Sequence, residues 1–418
     1  MRPVPTRSDL ERLSEGQTLY PVDLTTAEAT ALNTSQLVKV VPDELGWRVT
    51  AEYWVGSVAR GELVVRVAPK IGAVQVLRLL AMADGAADLA IDDERVEVAD
   101  DADLSAVLAR MFVLEAEHAL AMGPLRGYRT EDQTLPVLRG RLRLRDQYLR
   151  RFGQLSPLEV TVDEWTVNTA ENRLIRSAAL ALLALPGLTP DVEIDLRRVD
   201  RMLVEAERLV PGVVPPSWQP TRLNARLHAL LGLAELTLQH VSVESTAGGV
   251  VVHGFRVNMA HLFERLVARL LIDVDAAWSA QVTLPLDQRE TLVIRPDLVR
   301  DDGTGWSGVA DTKYKLLDEA GKVSNADIYQ LVTYCSRLGL AAGHLIYADG
   351  GAEPDPYEVM GTDIEVAIHR LDLTQAVPLL VNRVRALAEC MRVLANPLKP
   401  QEDSQAWLGS ETSLIRSS

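Results

Sequence analysis

The chain has 418 residues, 47% apolar, 24% charged and only 5% aromatic, and its 43 basic and 58 acidic side chains leave a formal charge of −15. That length supports two or three domains with separate cores, and the acidic balance argues against a protein that coats nucleic acid without specificity. No apolar run reaches the roughly 18 residues of a membrane span, the start Met1-Arg-Pro-Val-Pro lacks a signal-like apolar stretch, and Cys335 and Cys390 have no metal-ligand spacing, so a cytoplasmic protein without a membrane partner is expected.

Residues 1–100 read as a strand-rich domain: Trp47 to Val55 and Glu62 to Ala68 alternate as half-buried strands do, and a helical pattern starts near Val74. Residues 101–244 read as mainly helical, with apolar positions three and four apart over Leu104–Met122, Thr169–Leu185, Glu193–Val210 and Ala225–His240. Asn168 or Thr169 suits the cap of the second of these. A strand pair, Pro136–Arg145 with Pro157–Trp165, interrupts them. Six arginines stand between Arg139 and Arg151 against one acid, Asp146. Four of them, Arg139, Arg141, Arg143 and Arg145, alternate, which on a strand makes one guanidinium face. That face suits phosphate or an acidic partner, or a solvated surface with its stems on the core. Lys70, after Pro69, carries the same two readings, a contact residue or a loop end.

The loop Ser245–Gly249 marks a boundary. From 245 to 396 the order reads α-β-β-β-α-β, one mixed α/β domain, with helices over Asn258–Ile272, Asn325–Gly339 and Leu373–Asn396. The intervening strands fall near Gln281–Leu286, Glu290–Arg300, Trp306–Lys315, Gly343–Ala348 and Asp363–Leu371. Residues 397–418 read as a polar tail. The expected class is therefore α+β or mixed α/β throughout.

Chemistry concentrates in Ile294-Arg-Pro-Asp297-Leu and Val309-Ala-Asp311-Thr-Lys313-Tyr-Lys315, joined by the turn-forming Asp301-Asp-Gly-Thr-Gly305. Alternation on a strand puts Asp311 and Lys313 on one face. Pairing across the turn brings Asp297 near Asp311, and two such carboxylates repel unless a divalent cation lies between them. Oxygen ligands of this kind suit Mg²⁺ or Mn²⁺. Lysine usage sharpens the point. Only six of the 43 basic residues are lysine and the other 37 are arginine, yet two lysines sit within this strand. Arginine cannot give up its proton and presents a broad fork, whereas an ammonium is compact. A cross-strand ion pair on a solvated face accounts for Asp-x-Lys equally well. Downstream, Gln330 and Tyr334 are four apart and share a helix face, and upstream Glu264 lies at the edge of an apolar stripe.

In this order the segments resemble the McrC family, the nuclease subunits of modification-dependent McrBC restriction systems. The likeness rests on Gly254–Glu264, Arg295-Pro-Asp297, Asp311–Lys315 and Asn325–Tyr334, with Val67-Ala-Pro-Lys70-Ile, Gly140-Arg-Leu and Thr169–Ile175 upstream. The resemblance implies a PD-(D/E)xK nuclease fold over about 250–395. It implies that Asp297, Asp311 and the backbone carbonyl of Thr312 hold Mg²⁺, that Lys313 acts on the attacking water, that Glu264 completes or orients the metal shell, and that Gln330 and Tyr334 support the site. It also implies hydrolysis of a DNA phosphodiester to a 5′-phosphate, beside a McrB-like hexameric AAA+ GTPase that binds methylated DNA. The N-terminal half would dock on that ring and stimulate GTP hydrolysis.

The residues themselves exclude some roles. No G-x-x-x-x-G-K-[ST] is present, so the chain is not the P-loop motor, and GTP would act only through the partner. The seven histidines form no H-x-x-x-H pair, and no G-x-S-x-G elbow occurs. Two further readings remain: a non-catalytic regulator of a AAA+ ring, and another DNA nuclease of the same fold.

Overall fold

The computed structural model describes residues 5–61, 63–85, 103–152, 154–210, 212–245, 251–315 and 323–393. Packing separates two units, Met1–Leu262 and Phe263–Ser418. The 397–418 tail, most of the Ser245–Gly249 loop and part of the 1–100 segment lie outside the described residues.

In the first unit, β1 (Leu13–Ser14), β2 (Thr18–Val22), α1 (Thr26–Ser35), β3 (Lys39–Asp43), β4 (Gly46–Thr50), β5 (Trp54–Arg60), β6 (Leu63–Ala68) and α2 (Ala73–Ala83) come first. The stretch read as one strand from Trp47 to Val55 is two, β4 and β5, in different sheets: β2-β4-β3, and β1-β6-β5. A capping box starts α1, in which Thr25 accepts from the Glu28 backbone N–H and the Glu28 carboxylate accepts from Thr25.

Next follow α3 (Leu104–Ala119), β7 (Gly127–Leu135), β8 (Arg141–Leu142), α4 (Leu144–Arg151), β9 (Leu158–Thr166), α5 (Ala170–Leu183), α6 (Pro190–Met202), α7 (His228–His240), β10 (Val241–Ser245) and β11 (Val251–Asn258). Thr169 caps α5, its hydroxyl accepting from the Asn172 backbone N–H at 3.3 Å. The third predicted helix begins earlier and ends eight residues sooner than its pattern. The buried Arg176 guanidinium bonds the carbonyls of Val204 and Ala206 and the Asp200 carboxylate, which fixes a turn where the helix would continue.

The arginine row requires correction. The main partner of β9 is β7, whose polar residues alternate with no apolar face to announce it. Of the expected strand Pro136–Arg145, only Arg141 and Leu142 pair. Gly140 has φ +75°, and a Cβ there would stand 2.2 Å from the Thr161 carbonyl oxygen, so the chain turns at that point. Arg143 then precedes α4 and Arg145 lies within it. Arg139, Arg141, Arg143 and Arg145 therefore form no common strand face. Arg143 pairs with Asp132 at 3.0 Å and with Asp146, Arg151 with Glu159 at 2.9 Å, and Arg139 reaches Glu164 at 3.9 Å.

The boundary at 245 is also displaced. Strand β11 pairs with β5 and β10 and completes the five-stranded sheet of the first unit, β1-β6-β5-β11-β10. The second unit begins inside α8 (Met259–Val274). It continues with β12 (Trp278–Ala280), β13 (Leu284–Pro285), β14 (Val293–Ile294), β15 (Leu298–Asp301), β16 (Trp306–Lys313), α9 (Asn325–Leu338), β17 (Ala342–Tyr347), β18 (Tyr357–Glu358), β19 (Glu365–Arg370) and α10 (Val377–Val393). Six strands form a mixed sheet, β12-β15-β16-β17-β19-β18. All six residues of β17 are buried, as befits a strand with parallel partners on both sides. Leu331, Tyr334, Cys335 and Leu338 of α9 pack with Val309, Leu345, Val366 and Ile368, and Gly339 ends that helix with φ +69°. The segment read as one strand over Glu290–Arg300 breaks at Arg295-Pro-Asp297 into β14 and β15, because proline cannot donate to a ladder.

Leu331 is fully buried below the sheet's central strands. Leu331→Ala is expected to cost about 2–5 kcal/mol, read as a lower urea midpoint in tryptophan fluorescence.

Candidate active site

Antiparallel pairing of β15 with β16 places Leu298 opposite Ala310. One step back along β15 and one forward along β16, Asp297 meets Asp311. The hairpin register alone thus brings together two acids fourteen positions apart.

Each acid is held differently. Oδ2 of Asp297 accepts from the Thr312 backbone N–H at 2.8 Å and from its hydroxyl at 2.7 Å. Its Oδ1 accepts from the Gln281 side-chain amide at 3.3 Å, and the same amide nitrogen contacts Glu264 on α8. Asp311, 2% exposed, forms an ion pair with Lys313 two residues on. The Lys313 ammonium also donates to Gln330 Oε1 at 2.9 Å, and the Gln330 amide donates to the Tyr334 hydroxyl at 2.8 Å. That hydroxyl in turn reaches the carbonyl of Arg295 at 3.4 Å, tying α9 to the segment before Asp297.

The electrostatics follow from this crowding. Burial, with the charge of Asp297 beside it, raises Glu264 to about 7, and the same two causes raise Asp311 to about 6. Burial alone would lower the Lys313 ammonium, but the charge and hydrogen bond of Asp311, with Asp327 and Asp297, outweigh it and the group is raised. Lys313 is therefore a firmly protonated cation among acids. Burial also raises the Tyr334 hydroxyl. Glu264 and Asp297 converge on the Gln281 amide while Asp311 turns to Lys313, and among the described residues no group of three His, Cys, Asp or Glu closes into a ready cage. The donor set is nonetheless of hard oxygens whose mutual repulsion a divalent cation would relieve.

The structure thus brings together Glu264, Asp297, Asp311, Thr312, Lys313, Gln330 and Tyr334. Lys70, Arg139, Arg141, Arg143 and Arg145 belong to the first unit instead. Lys70 sits at a loop end, its backbone N–H 3.4 Å from the buried Glu15 carboxylate. Two participants escaped the sequence. Gln281 joins Glu264 to Asp297 from a left-handed backbone, φ +55°, that no pattern announces. Asp327 binds Lys315 and Tyr347 from the first turn of α9, where an acid reads simply as favourable for a helix start.

Residues 49–348 match the family model described as McrBC 5-methylcytosine restriction system component. The chain belongs to this family. Its fold is also similar to a solved chain from a refined half-complex of the tetradecameric assembly of Thermococcus gammatolerans McrB AAA+ hexamers with bound McrC: 20% identity, 92% of each chain covered, TM-score 0.57. A chain of the Thermococcus gammatolerans McrBC complex aligns over 64% of this chain and 78% of its own, with 21% identity and a TM-score of 0.37. No curated protein matches. The family match runs from β5 through β17 and so takes in the Glu264–Tyr334 cluster, and no described helix is long and apolar enough to cross a membrane.

Removing the charge of Asp297 removes a shared cause of two raised carboxyls. Asp297→Asn is expected to lower the midpoints of Glu264 and Asp311 from about 7 and about 6 towards ordinary values, as followed by carboxyl-carbon NMR titration. The linkage has a definite sign. Groups with raised folded pKa bind more protons folded than unfolded, so the stability these two carboxyls contribute to the metal-free parent is lost as pH rises from about 4 to about 7, and Asp297→Asn loses less over that range than the parent does.

Proposed function

We propose that the chain is the DNA-cutting subunit of a modification-dependent restriction system, a Mg²⁺- or Mn²⁺-dependent endonuclease of the PD-(D/E)xK type. The observation that carries this reading is the β15–β16 register, which sets Asp297 beside Asp311-Thr-Lys313 on one hairpin.

Asp297, Asp311 and the Thr312 carbonyl would hold the ion, with Glu264 as a further ligand or orienting group. Bound there, a divalent cation supplies Lewis-acid charge on the phosphate and lowers the pKa of a coordinated water. The protein's own part is positional. Gln330 and Tyr334 fix the Lys313 side chain, and its ammonium, kept charged by its neighbours, donates to a non-bridging phosphate oxygen or steadies the attacking water. The water oxygen bonds to phosphorus as the in-line bond to the 3′ oxygen breaks; the water gives up a proton to solvent and the leaving 3′ oxygen takes one from solvent, so that the products carry a 5′-phosphate and a 3′-hydroxyl. Double-stranded, modified DNA is the substrate and a McrB-like AAA+ GTPase hexamer the partner, GTP acting through that partner alone.

Asp311→Ala and Lys313→Ala are each expected to reduce cleavage of 5-methylcytosine-containing plasmid by at least about a hundredfold, assayed with the GTPase, GTP and Mg²⁺. Parental rates in both variants would sink the assignment.

A second role, regulation of the GTPase ring, is favoured by one surface. Around α4, Tyr148 (74% exposed), Phe152 (88%) and Leu155 (89%) stand in solvent with Leu144 and Leu149 and among arginines. Such an apolar group with cationic neighbours suits a protein interface. Phe152→Asp is expected to lower GTPase stimulation about tenfold or more, as phosphate release by the ring, while leaving the fold's Tm unchanged.

A further inference from the structure

Lys315 is the second lysine of Asp311-Thr-Lys-Tyr-Lys315, and nothing in the chemistry above uses it. Past the end of β16 the backbone bends, the carbonyl of Lys313 accepting from the N–H groups of both Lys315 and Ala348 at 3.0 and 3.1 Å. This bend delivers Lys315 to α9, where its ammonium meets Asp327 Oδ2 at 2.6 Å. The same oxygen accepts from the buried Tyr347 hydroxyl, also at 2.6 Å.

The two halves of this ion pair have unequal surroundings. Asp327 is 6% exposed, whereas the Lys315 side chain is 39% exposed. Desolvating a carboxylate to serve a surface ion pair gains little for stability, and apolar residues would fill the space as well. The arrangement makes sense as a mount: a buried carboxylate, oriented by a tyrosine, that holds the ammonium of a partly exposed lysine. Asp327 is also felt within the site, since its charge is among the causes acting on Asp311 and Lys313. Lys315 thus stands beside the catalytic cluster rather than on a remote surface. The chain's preference for arginine makes a lysine here notable, because a compact ammonium fits a single phosphate oxygen where an arginine fork spans two.

Building on the nuclease reading, we propose that Lys315 contacts a DNA backbone phosphate next to the cleaved bond, and that Asp327, oriented by Tyr347, is the positioning residue that aims it. The contact binds; it does not take part in bond breaking.

The test is fluorescence anisotropy of a short DNA duplex titrated with the full-length chain, Ca²⁺ in place of Mg²⁺, over a salt series. Lys315→Gln is expected to weaken binding severalfold and to reduce the slope of log K against log salt by about 0.9, one phosphate contact. Lys315→Arg should restore the slope, and Lys39→Gln, an exposed lysine of the first unit, should match the parent. Asp327→Asn should weaken binding in the same direction; if it unfolds the chain, the Lys315 pair of variants still decides. A parental slope in Lys315→Gln, or no duplex binding by the parent at low salt, overturns the proposal. Cleavage by the complex with its GTPase separates the two levels. An inactive Asp311→Ala with a parental Lys315→Gln slope overturns the Lys315 contact alone, whereas an active Asp311→Ala overturns the nuclease reading beneath it.

Discussion

Repulsion among Glu264, Asp297 and Asp311 is the constraint around which the second unit is organised. Three acids, Asp311 buried and Glu264 and Asp297 half-buried, share a corner with one ammonium, and two of them are raised well above the usual carboxylate range. A fold without a task there would place apolar residues at those positions, since buried charges seldom repay their desolvation. Here every neighbour is recruited to hold the acids in place: Thr312 with two donors, Gln281 between two carboxylates, and Lys313 with Gln330 and Tyr334 behind it.

The supporting framework is correspondingly rigid. The hairpin β15–β16 fixes which acids face one another, and the wholly buried β17 with the apolar face of α9 fixes the hairpin. Tyr334 serves both purposes, lying in the core while its hydroxyl closes the chain from Lys313 to the Arg295 carbonyl. Packing and chemistry are thus coupled through single side chains, so changes in the core of α9 should be felt at the acids.

The first unit follows a different economy. Its charges are largely spent on one another: Arg143 on Asp132 and Asp146, Arg151 on Glu159, Arg176 on Asp200 and two carbonyls. Among the apolar residues it leaves exposed are those around α4. The net charge of −15 is therefore a coarse measure, because it sums a unit rich in internal ion pairs with one that crowds three acids around Asp297.

The sequence by itself determined the elements whose signals are local. The periodicity of α3, α5, α7, α8 and α9, a cap at Asn168 or Thr169, the end of α9 near Gly339 and the Asp-x-Lys strand were all legible, because helix faces, caps and strand alternation are set by residues a few positions apart. So was the order of the site residues Asp297, Asp311, Lys313, Gln330 and Tyr334. Tertiary structure alone decided the rest. It assigned β11 to the first unit's sheet, since strand partners distant in sequence leave no local trace. It broke the arginine row at Gly140, where a neighbouring carbonyl leaves no room for a side chain. It also brought in Gln281 and Asp327, whose roles come from a left-handed backbone and from a partner two residues beyond Lys313. Both depend on where the folded chain passes, which spacing along the sequence does not encode.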